Sequence, residues 1–329
     1  MTPNSTFGTV IMNRRTARTV VITGASSGIG RATAIGFARR GMNVVLAARD
    51  EAALDVVRLA CRAAGGDALV VRTDVTDPDQ VSALASEAIG AFGQIDIWVN
   101  NVGIGAVGAF EEVPVAAHKR VIEANLLGHM YGTHAVLPHF RRRRRGILIN
   151  MISLGGWTGA PYAAAYSASK FGLRGFSESI RAEVSDMPGI QVCEVYPTFV
   201  DTPGVAHGGN YTGKYLAPPP PMLDPREVAH RVVELAYRPR ASTLVGGIAW
   251  PVRLAHSVAP DVSARITRIL MDIGFRRAKR ARNTDGNLYA PSAGHAVDGG
   301  FREAARKKGS PLRVGALAMV AFAAWRVLR

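Results

Sequence analysis

A glycine-rich turn between a short apolar strand and a helix is the strongest constraint on the fold. Residues 19–23 form a β-rich run, and Gly24-Ala25-Ser26-Ser27-Gly28-Ile29-Gly30 follows it directly. Apolar residues with helical spacing continue to Ala38, and Gly41 is suited to end that helix. In this context the glycines let the backbone approach a pyrophosphate, which the helix N-terminus also attracts. The segment therefore predicts a dinucleotide site, whereas the glycines alone would predict only a turn.

The second strand, predicted over Asn43 to Ala48, indicates which dinucleotide is bound. An acid that binds a ribose 2′-hydroxyl is expected near the end of this strand, but Ala48 and Arg49 stand there. Because an arginine can hold a 2′-phosphate, Arg49 favours NADP over NAD. The alternative is that Arg49 is a surface residue paired with Asp50 or Glu51.

Strands alternate with helices along the chain, which predicts an α/β fold. The expected architecture is a doubly wound parallel sheet, a Rossmann fold with helices on both faces and ligands at the strand carboxyl ends. Further strands are predicted over 68–73, 95–99, 147–152, 190–196 and 241–247, and helices begin near Asp50, Asp77, Pro114, Tyr166 and Asp224. The strand ends that would meet at the ligand-binding edge carry Gly24, Asp74, Asn101 and Ser153.

Tyr166 and Lys170 form the candidate proton-transfer pair. Their spacing places them on one face of a helix, where the ammonium would lower the pKa of the phenol and let it exchange a proton at neutral pH. Ser153, at the end of the strand over 147–152, could reach that phenol. The same spacing also fits an amphipathic helix with a half-buried tyrosine and a solvated lysine.

Two features of the stretch after Pro114 each have two interpretations. Asn125 lies in an apolar patch and either bonds to a kinked helix or belongs to a proton path. The arginine run 141–145 is either a charged helix end that favours the dipole or a nucleic-acid patch. Interleaved aromatic residues that would stack bases are lacking there, so no nucleic-acid partner is expected.

Composition locates the charge excess in the last part of the chain. The formal net charge is +15 over 329 residues, and 276–329 carries twelve Lys and Arg against three acids, which is nine of the fifteen excess charges. A basic appendage explains this better than a general affinity for nucleic acid. Cys61 and Cys193 are expected to be buried, reduced thiols of a cytoplasmic protein. Residues 1–17 are mostly polar and are expected to be a flexible N-terminal segment.

Together these motifs resemble the single-domain branch of the short-chain dehydrogenase/reductase superfamily over residues 19–247. Val102 and Thr198 depart from the family pattern, which commonly has alanine and glycine at these positions. The matching residues are Thr23-Gly24-x-x-x-Gly28-x-Gly30, Asp74, Asn100-Asn101-x-Gly103, Asn125, Ser153, Tyr166-x-x-x-Lys170 and Pro197 to Thr202.

The resemblance implies an oxidoreductase that transfers a hydride between NADP(H), or less favourably NAD(H), and an alcohol/carbonyl substrate, with no metal. Tyr166 would be the general acid/base, and Lys170 would lower its pKa and hold the nicotinamide ribose. Ser153 would bond the substrate oxygen, and Asn125 would anchor a water. Family analogy also implies a homo-oligomer. The cofactor would be bordered by Gly24, Ser26, Ser27, Gly28, Ile29, Gly30, Arg49, Asp74, Val75, Asn101, Gly103, Pro197, Val200 and Thr202, besides Tyr166 and Lys170.

Residues 251–329 form an extension beyond the catalytic domain expected over 18–250. Residues 251–282 are predicted to be helical and 281–300 irregular. The uncharged run from Val314 to Trp325 is too short to span a bilayer, which takes roughly 20 residues. It is expected either to anchor at the membrane surface, making the protein peripheral, or to pack on its own domain or a partner subunit.

Residues 204–223, rich in glycine and then proline, are predicted to form an irregular substrate lid. Tyr211, Tyr215 and Leu216 within it favour an apolar substrate. The alternative function is a non-catalytic NADP-binding protein that its basic tail docks on a membrane or partner. Retention of the serine, tyrosine and lysine argues against this alternative, because a binding module needs no proton relay.

Overall fold

The computed structural model of the protein describes residues 17–292 and 294–307. Nine β-strands form two sheets within these residues. They are β1 Thr19–Thr23, β2 Asn43–Ala48, β3 Ala68–Arg72, β4 Ile97–Asn100, β5 Ala106–Val107, β6 Gly146–Met151, β7 Ile190–Pro197, β8 Gly209–Asn210 and β9 Ser242–Val245. Seven of them make a parallel sheet in the order β3-β2-β1-β4-β6-β7-β9, and β5 pairs with β8 in a second, two-stranded sheet.

Helices cover both faces of the large sheet, which confirms the predicted doubly wound α/β fold. Phe37, Leu54 and Val232 pack on one face, and Leu84 and Phe140 pack on the other. The helices are α1 Gly28–Ala38, α2 Glu51–Ala63, α3 Pro78–Phe92, α4 Val115–Ile122, α5 Gly128–Arg143, α6 Ala164–Glu183, α7 Gly204–His207, α8 Pro225–Leu235, α9 Ala249–Val258, α10 Pro260–Arg277 and α11 Phe301–Lys307.

The central strands are continuous apolar runs because both faces of the sheet are covered. All five residues of β1 are buried, as are the first five of β2.

Aspartates cap the N-termini of α3 and α8. The Asp77 carboxylate accepts the Asp79 N–H at 3.0 Å, and that of Asp224 accepts the Arg226 N–H at 2.8 Å. Both caps agree with the sequence prediction.

Two segments differ from the predicted elements. The stretch after Pro114 is not one regular helix, because a π-helical turn over Glu123–Leu127 separates α4 from α5. The predicted irregular lid over 204–223 contains α7 and β8, since β8 finds a partner in β5. Sequence periodicity cannot reveal a two-residue strand whose partner lies a hundred residues away.

The arginine run 141–145 contacts Asp96, which directly precedes β4. The Asp96 carboxylate is buried and accepts hydrogen bonds from Arg143 at 3.1 Å and Arg145 at 2.9 Å, and Arg141 pairs with Glu183 at 2.7 Å. α5 ends at Arg143, so the run includes the cationic helix end expected as one of its two interpretations.

The extension beyond β9 returns to the sheet. α9 and α10 match the helical prediction for 251–282, and the irregular chain that follows α10 passes along the carboxyl edge of the strands. No helix within the described ranges is long and apolar enough to cross a membrane. The predictions for residues 1–16 and for the apolar run from Val314 to Trp325 fall outside the described residues.

Replacing Gly30 by alanine should destabilise the fold, because a Cβ there would lie 2.1 Å from the Gly24 carbonyl oxygen and 2.6 Å from Asn101 Nδ2. We expect a loss of about 1–3 kcal/mol in the free energy of unfolding, measured with urea. Gly90→Ala is the matched control: a Cβ there meets nothing within 4 Å, so alanine should stabilise α3 by about 0.5–1 kcal/mol. A Gly30→Ala protein as stable as the wild type would contradict this account of the turn.

Candidate active site

The glycine turn and the end of β4 are joined by the side chain of Asn101. Its Nδ2 donates to the carbonyl oxygens of Thr23 at 3.1 Å and Gly24 at 3.2 Å, and its backbone N–H donates to Thr23 Oγ1 at 3.1 Å. Gly24 and Gly28 adopt φ values of +67° and +53°, which favour glycine. The turn is thereby held at the point where β1 lies between β2 and β4, and where the strand order changes direction.

The N-terminus of α1 faces the segment that follows β7. Ser27 precedes the helix in an extended conformation, and its side chain makes no capping bond. Ser26, Ser27 and Ile29 are half-buried. The first N–H groups of a helix have no partner within the helix and point out of its end. A Cβ on Gly28 would lie 3.2 Å from Thr202 Cγ2. The structure thus brings the predicted residues of the turn next to those after Pro197, including the buried Val200.

Ser153, Tyr166 and Lys170 meet at the carboxyl end of β6. The Ser153 hydroxyl accepts the Gly155 N–H at 3.1 Å. A Cβ on Gly155 would lie 3.6 Å from this hydroxyl oxygen and 3.1 Å from Tyr166 Cε1, so the serine and the tyrosine ring are neighbours. Lys170 is buried, donates to the Met151 carbonyl oxygen at 2.9 Å and lies 5.8 Å from the centre of the Tyr166 ring. Ser153 has φ +148°, a value that only glycine adopts readily, so the hydroxyl is held by strained backbone.

Burial controls the protonation of this pair. Burial raises the pKa of Tyr166, an effect that the neighbouring Ser153 hydroxyl only partly opposes. Burial also lowers the pKa of Lys170 to about 7. The predicted lowering of the phenol pKa is therefore wrong for the protein alone, because desolvation of the phenolate outweighs any effect of the lysine. Tyr166 is a neutral phenol at neutral pH and can donate a proton.

Asn125 forms hydrogen bonds that connect two elements of the site. It is fully buried in the π-helical turn; its Oδ1 accepts the Ile104 N–H at 2.8 Å, and its Nδ2 donates to the Ile104 carbonyl oxygen at 2.8 Å and to Ser169 Oγ at 3.2 Å. The side chain thus ties the loop after β4 to α6. π-Helical turns of this kind are frequent at functional sites.

Arg49 and Asp74 follow the carboxyl ends of β2 and β3, on the opposite side of β1 from Ser153. We call the carboxyl edge of the sheet between these residues and Ser153 the groove. Asp74 and Arg49 make different contacts from those expected. The Asp74 carboxylate accepts the Thr76 N–H at 3.0 Å and pairs with Arg120 at 2.7 Å. Val75, next to Asp74, is buried. The Arg49 guanidinium binds neither Asp50 nor Glu51 among its described hydrogen bonds. It donates instead to three carbonyl oxygens, those of Asn287 at 2.6 Å, Leu288 at 3.2 Å and Ala290 at 3.3 Å.

Sequence reasoning missed two parts of this site. Arg120 lies on an ordinary amphipathic helix, where nothing distinguishes it from a surface arginine. Residues 284–292 and 294–300, which we call the C-terminal strap, are largely polar and irregular and so give no periodic signal. The strap follows the groove from Arg49 to the segment after β7, where the Asp201 carboxylate accepts the N–H groups of Phe301 at 2.9 Å and Arg302 at 3.0 Å.

α9 and α10 pack on the loop between Ser153 and Tyr166. The Tyr162 hydroxyl donates to Asp272, and the Tyr162 ring meets Phe275 edge-on at 5.2 Å. Trp157 has the guanidinium carbons of Arg174 and Arg253 each 3.5 Å from the centre of its ring.

Tyr211, expected in the substrate lid, is instead buried and donates to Asp285 at 2.6 Å. Its ring packs with Leu288 and Ile104 in a small hydrophobic core. Of the lid residues named from the sequence, Tyr215 is exposed.

A doubly wound sheet with a glycine turn and a Ser–Tyr–Lys group at one edge defines a nicotinamide-dependent oxidoreductase. The model of the short chain dehydrogenase family matches residues 18–209, and the chain belongs to that family. The chain is therefore an oxidoreductase of the short-chain dehydrogenase type.

Known proteins of this type include both NADP and NAD complexes. The cis-4-hydroxycyclohexanecarboxylate dehydrogenase of Sinomonas cyclohexanicum is 41% identical over 236 residues, 70% of this chain and 93% of the relative. A metagenomic short-chain oxidoreductase in complex with NADP has a TM-score of 0.60 and 30% identity, covering 69% of this chain and 96% of that one. A Burkholderia phymatum short chain dehydrogenase/reductase in complex with NAD has a TM-score of 0.64 and 27% identity, covering 82% and 98%.

The buried Lys170 should make stability depend on pH. Its pKa is about 7 in the folded protein and near the ordinary 10.5 when unfolded, so between these values the unfolded chain binds more protons and stability rises with pH. Wild type should gain up to about 1.4 kcal/mol per pH unit relative to Lys170→Met above pH ~7, measured by urea unfolding. The comparison should stop near pH ~8.5, where unfolded thiols begin to ionise.

Lys119→Met, at an exposed lysine of α4, is the control and should keep the wild-type pH dependence. Parallel stability curves for wild type and Lys170→Met would show that Lys170 stays protonated in the folded protein.

Proposed function

We propose that the protein is an NADP(H)-dependent oxidoreductase that interconverts an apolar alcohol and its carbonyl through Ser153, Tyr166, Lys170 and Asn125. The observation that supports this most is that three groups meet at the end of β6: the half-buried, neutral phenol of Tyr166, the neighbouring Ser153 hydroxyl, and the buried Lys170 one helical turn from Tyr166. A protein that only bound a dinucleotide would gain nothing from burying Lys170 beside this phenol, since burial of a lysine without a function costs free energy.

The residues of the chain supply the proton and the orientation. The nicotinamide cofactor supplies the hydride. In the direction of reduction, the Tyr166 phenol donates its proton to the carbonyl oxygen, which the Ser153 hydroxyl also binds. The ammonium form of Lys170 stabilises the phenolate that remains, because opposite charges attract strongly in a buried site. Asn125 fixes the position of α6 relative to the loop after β4 through its hydrogen bonds to both.

The groove carries the groups that a dinucleotide needs. The turn residues Gly24, Ser26, Ser27, Gly28, Ile29 and Gly30 would hold the pyrophosphate and its ribose with backbone amides. Arg49 would bind the 2′-phosphate, which is the basis for proposing NADP. The remaining contacts would be Asp74 and Val75 at adenine, Asn101 and Gly103 at the adenosine ribose, and Pro197, Val200 and Thr202 at the carboxamide.

An apolar substrate is supported by the side chains around the catalytic loop. Trp157 and Tyr162 lie between Ser153 and Tyr166 in the chain, and Phe275 packs on Tyr162 from α10. Phe199, directly after β7, is 44% exposed. The Sinomonas relative is named for an alicyclic hydroxy acid, which favours a cyclic carbonyl as the substrate.

Tyr166→Phe should lower kcat for NADPH-dependent reduction by about 10²–10⁴-fold, because the phenylalanine ring has no proton to donate. A panel of cyclic, aromatic and long-chain carbonyls should be followed through NADPH absorbance. Tyr237→Phe, at an exposed tyrosine outside the site, is the matched control and should retain full activity. Unchanged turnover in Tyr166→Phe would refute the assigned acid, and tight NADPH binding without turnover on the whole panel would favour the non-catalytic alternative.

Arg49→Ala should raise KM for NADPH by roughly tenfold or more while changing that for NADH little, because a charge-assisted bond to the phosphate is lost. Steady-state kinetics with both cofactors measures the two constants. Arg58→Ala on α2, an arginine paired with Asp55, is the control and should alter neither. Equal increases for both cofactors would mean that Arg49 does not bind the phosphate.

A further inference from the structure

Two guanidinium groups converge on one backbone oxygen at the adenosine end of the groove. The Leu288 carbonyl oxygen accepts hydrogen bonds from Arg120 Nε at 2.9 Å and from Arg49 Nη1 at 3.2 Å. Arg49 Nη2 also donates to the Asn287 and Ala290 carbonyl oxygens, at 2.6 Å and 3.3 Å. Three carbonyls of the C-terminal strap thus surround a pair of cations.

The charges in this cluster do not balance. Asp74 pairs with Arg120 at 2.7 Å and is the acid that faces both arginines. Burial and the nearby Arg120 lower the pKa of Arg49, so the cluster disfavours its second positive charge. Carbonyl oxygens carry only partial charges, whereas a phosphate would offer two full charges and three acceptor oxygens to the same donors.

The strap continues along the path assigned above to the dinucleotide. The Ala296 carbonyl oxygen accepts the Gly28 N–H at 3.0 Å, and that of His295 accepts from Arg31 at 2.6 Å. Asp298 then forms a two-bonded ion pair with Arg226, with both distances 2.7 Å. Backbone oxygens of the strap therefore contact both the expected phosphate-binding arginine and the N-terminus of α1.

We propose that Arg49 and Arg120 together form the subsite for the 2′-phosphate, and that the strap carbonyls of residues 287–290 occupy it as an internal competitor. The inference rests on the proposed function for the choice of NADP(H) as ligand. A dinucleotide with a 2′-phosphate replaces the carbonyls with phosphate oxygens and regains every bond to the two arginines. NAD(H) has only a hydroxyl there and leaves the two cations with only the Asp74 carboxylate facing them once the strap has moved, so the strap selects against it.

Leu288 determines how tightly the competitor is held. Its side chain is fully buried beside Ile104 and Tyr211, whereas the rest of the strap is largely polar. Shortening this side chain weakens strap docking without removing any group that contacts the phosphate. The arginines and the strap can therefore be tested separately.

The subsite is tested by calorimetric titration of the full-length protein with 2′,5′-ADP and with 5′-AMP. Arg120→Gln should reduce the preference for 2′,5′-ADP over 5′-AMP by about tenfold, as should Arg49→Ala, since each removes a charge-assisted bond. Arg62→Gln on α2, whose side chain is half exposed, is the control and should leave the preference unchanged. An unchanged preference in Arg120→Gln would overturn the assignment of Arg120 to the subsite.

The competitor is tested with Leu288→Ala, which should bind 2′,5′-ADP about tenfold more tightly than the wild type because docking of the strap is weakened. Leu84→Ala, an equally buried leucine of α3, is the control and should bind as the wild type does. Hydrogen exchange should report strap release: NADP⁺ should speed exchange of the Asn287 and Leu288 amides, which are bonded to the His207 and Asp285 carbonyl oxygens, and NAD⁺ should not. Weaker binding by Leu288→Ala would overturn the proposal, since the strap would then be a wall that retains the dinucleotide.

Asp298→Asn, at an exposed ion pair, loosens the strap without touching the core and should shift 2′,5′-ADP affinity in the same direction if Leu288→Ala does not fold.

The proposed function and the proposed competitor can be rejected separately. NADPH-dependent turnover without tighter binding in the strap variants would reject only the competitor. The expected titrations without reduction of any carbonyl would reject the enzymatic proposal and leave the phosphate subsite standing.

Discussion

The hydrogen bonds from Asn101 to the first residues of the glycine turn hold the two halves of the site together. They join the end of β4 to the end of β1 at the point where the strand order of the sheet reverses. The glycine turn and the loop after β4 are both positioned from this junction. Gly30 leaves no room for even a methyl group between the turn and Asn101, so the junction depends on close backbone approach as well as on hydrogen bonding.

Desolvation is the second physical constraint, and it acts on both members of the proton-transfer pair in opposite senses. It favours the protonated phenol of Tyr166 and disfavours the protonated amine of Lys170. A buried lysine near its pKa at neutral pH can change its charge at little cost, which a solvated lysine cannot do. The shifted pKa values of both groups thus arise from desolvation.

The elements that a one-dimensional pattern controls could be predicted from the sequence. The buried strands, the aspartate caps and the turn with Gly24 and Gly28 depend on neighbouring residues, and the structure has them within a few positions of the prediction. The direction of the Tyr166 pKa shift could not be predicted, because it depends on how completely distant elements enclose the ring. The β5–β8 pairing is likewise a tertiary effect.

The adenosine end shows the same limit more sharply. Arg49 was found because its position relative to a strand end has a known meaning, whereas Arg120 and the strap have none in the sequence. Their relevance arises only from the folded chain, which brings Leu288 within 3.2 Å of one arginine and 2.9 Å of the other. Irregular segments can be located only through such contacts, since they have no period to detect.

Trp157, clasped between Arg174 and Arg253, connects the catalytic loop to the start of the extension. The same stretch of chain runs on through α10 into the strap, which reaches the opposite end of the groove. One continuous segment of the chain therefore contacts both the loop after Ser153 and the Arg49 side chain. Because α9, α10 and the strap are continuous in sequence, the contacts at Trp157 and the contacts at Arg49 belong to one segment of the chain.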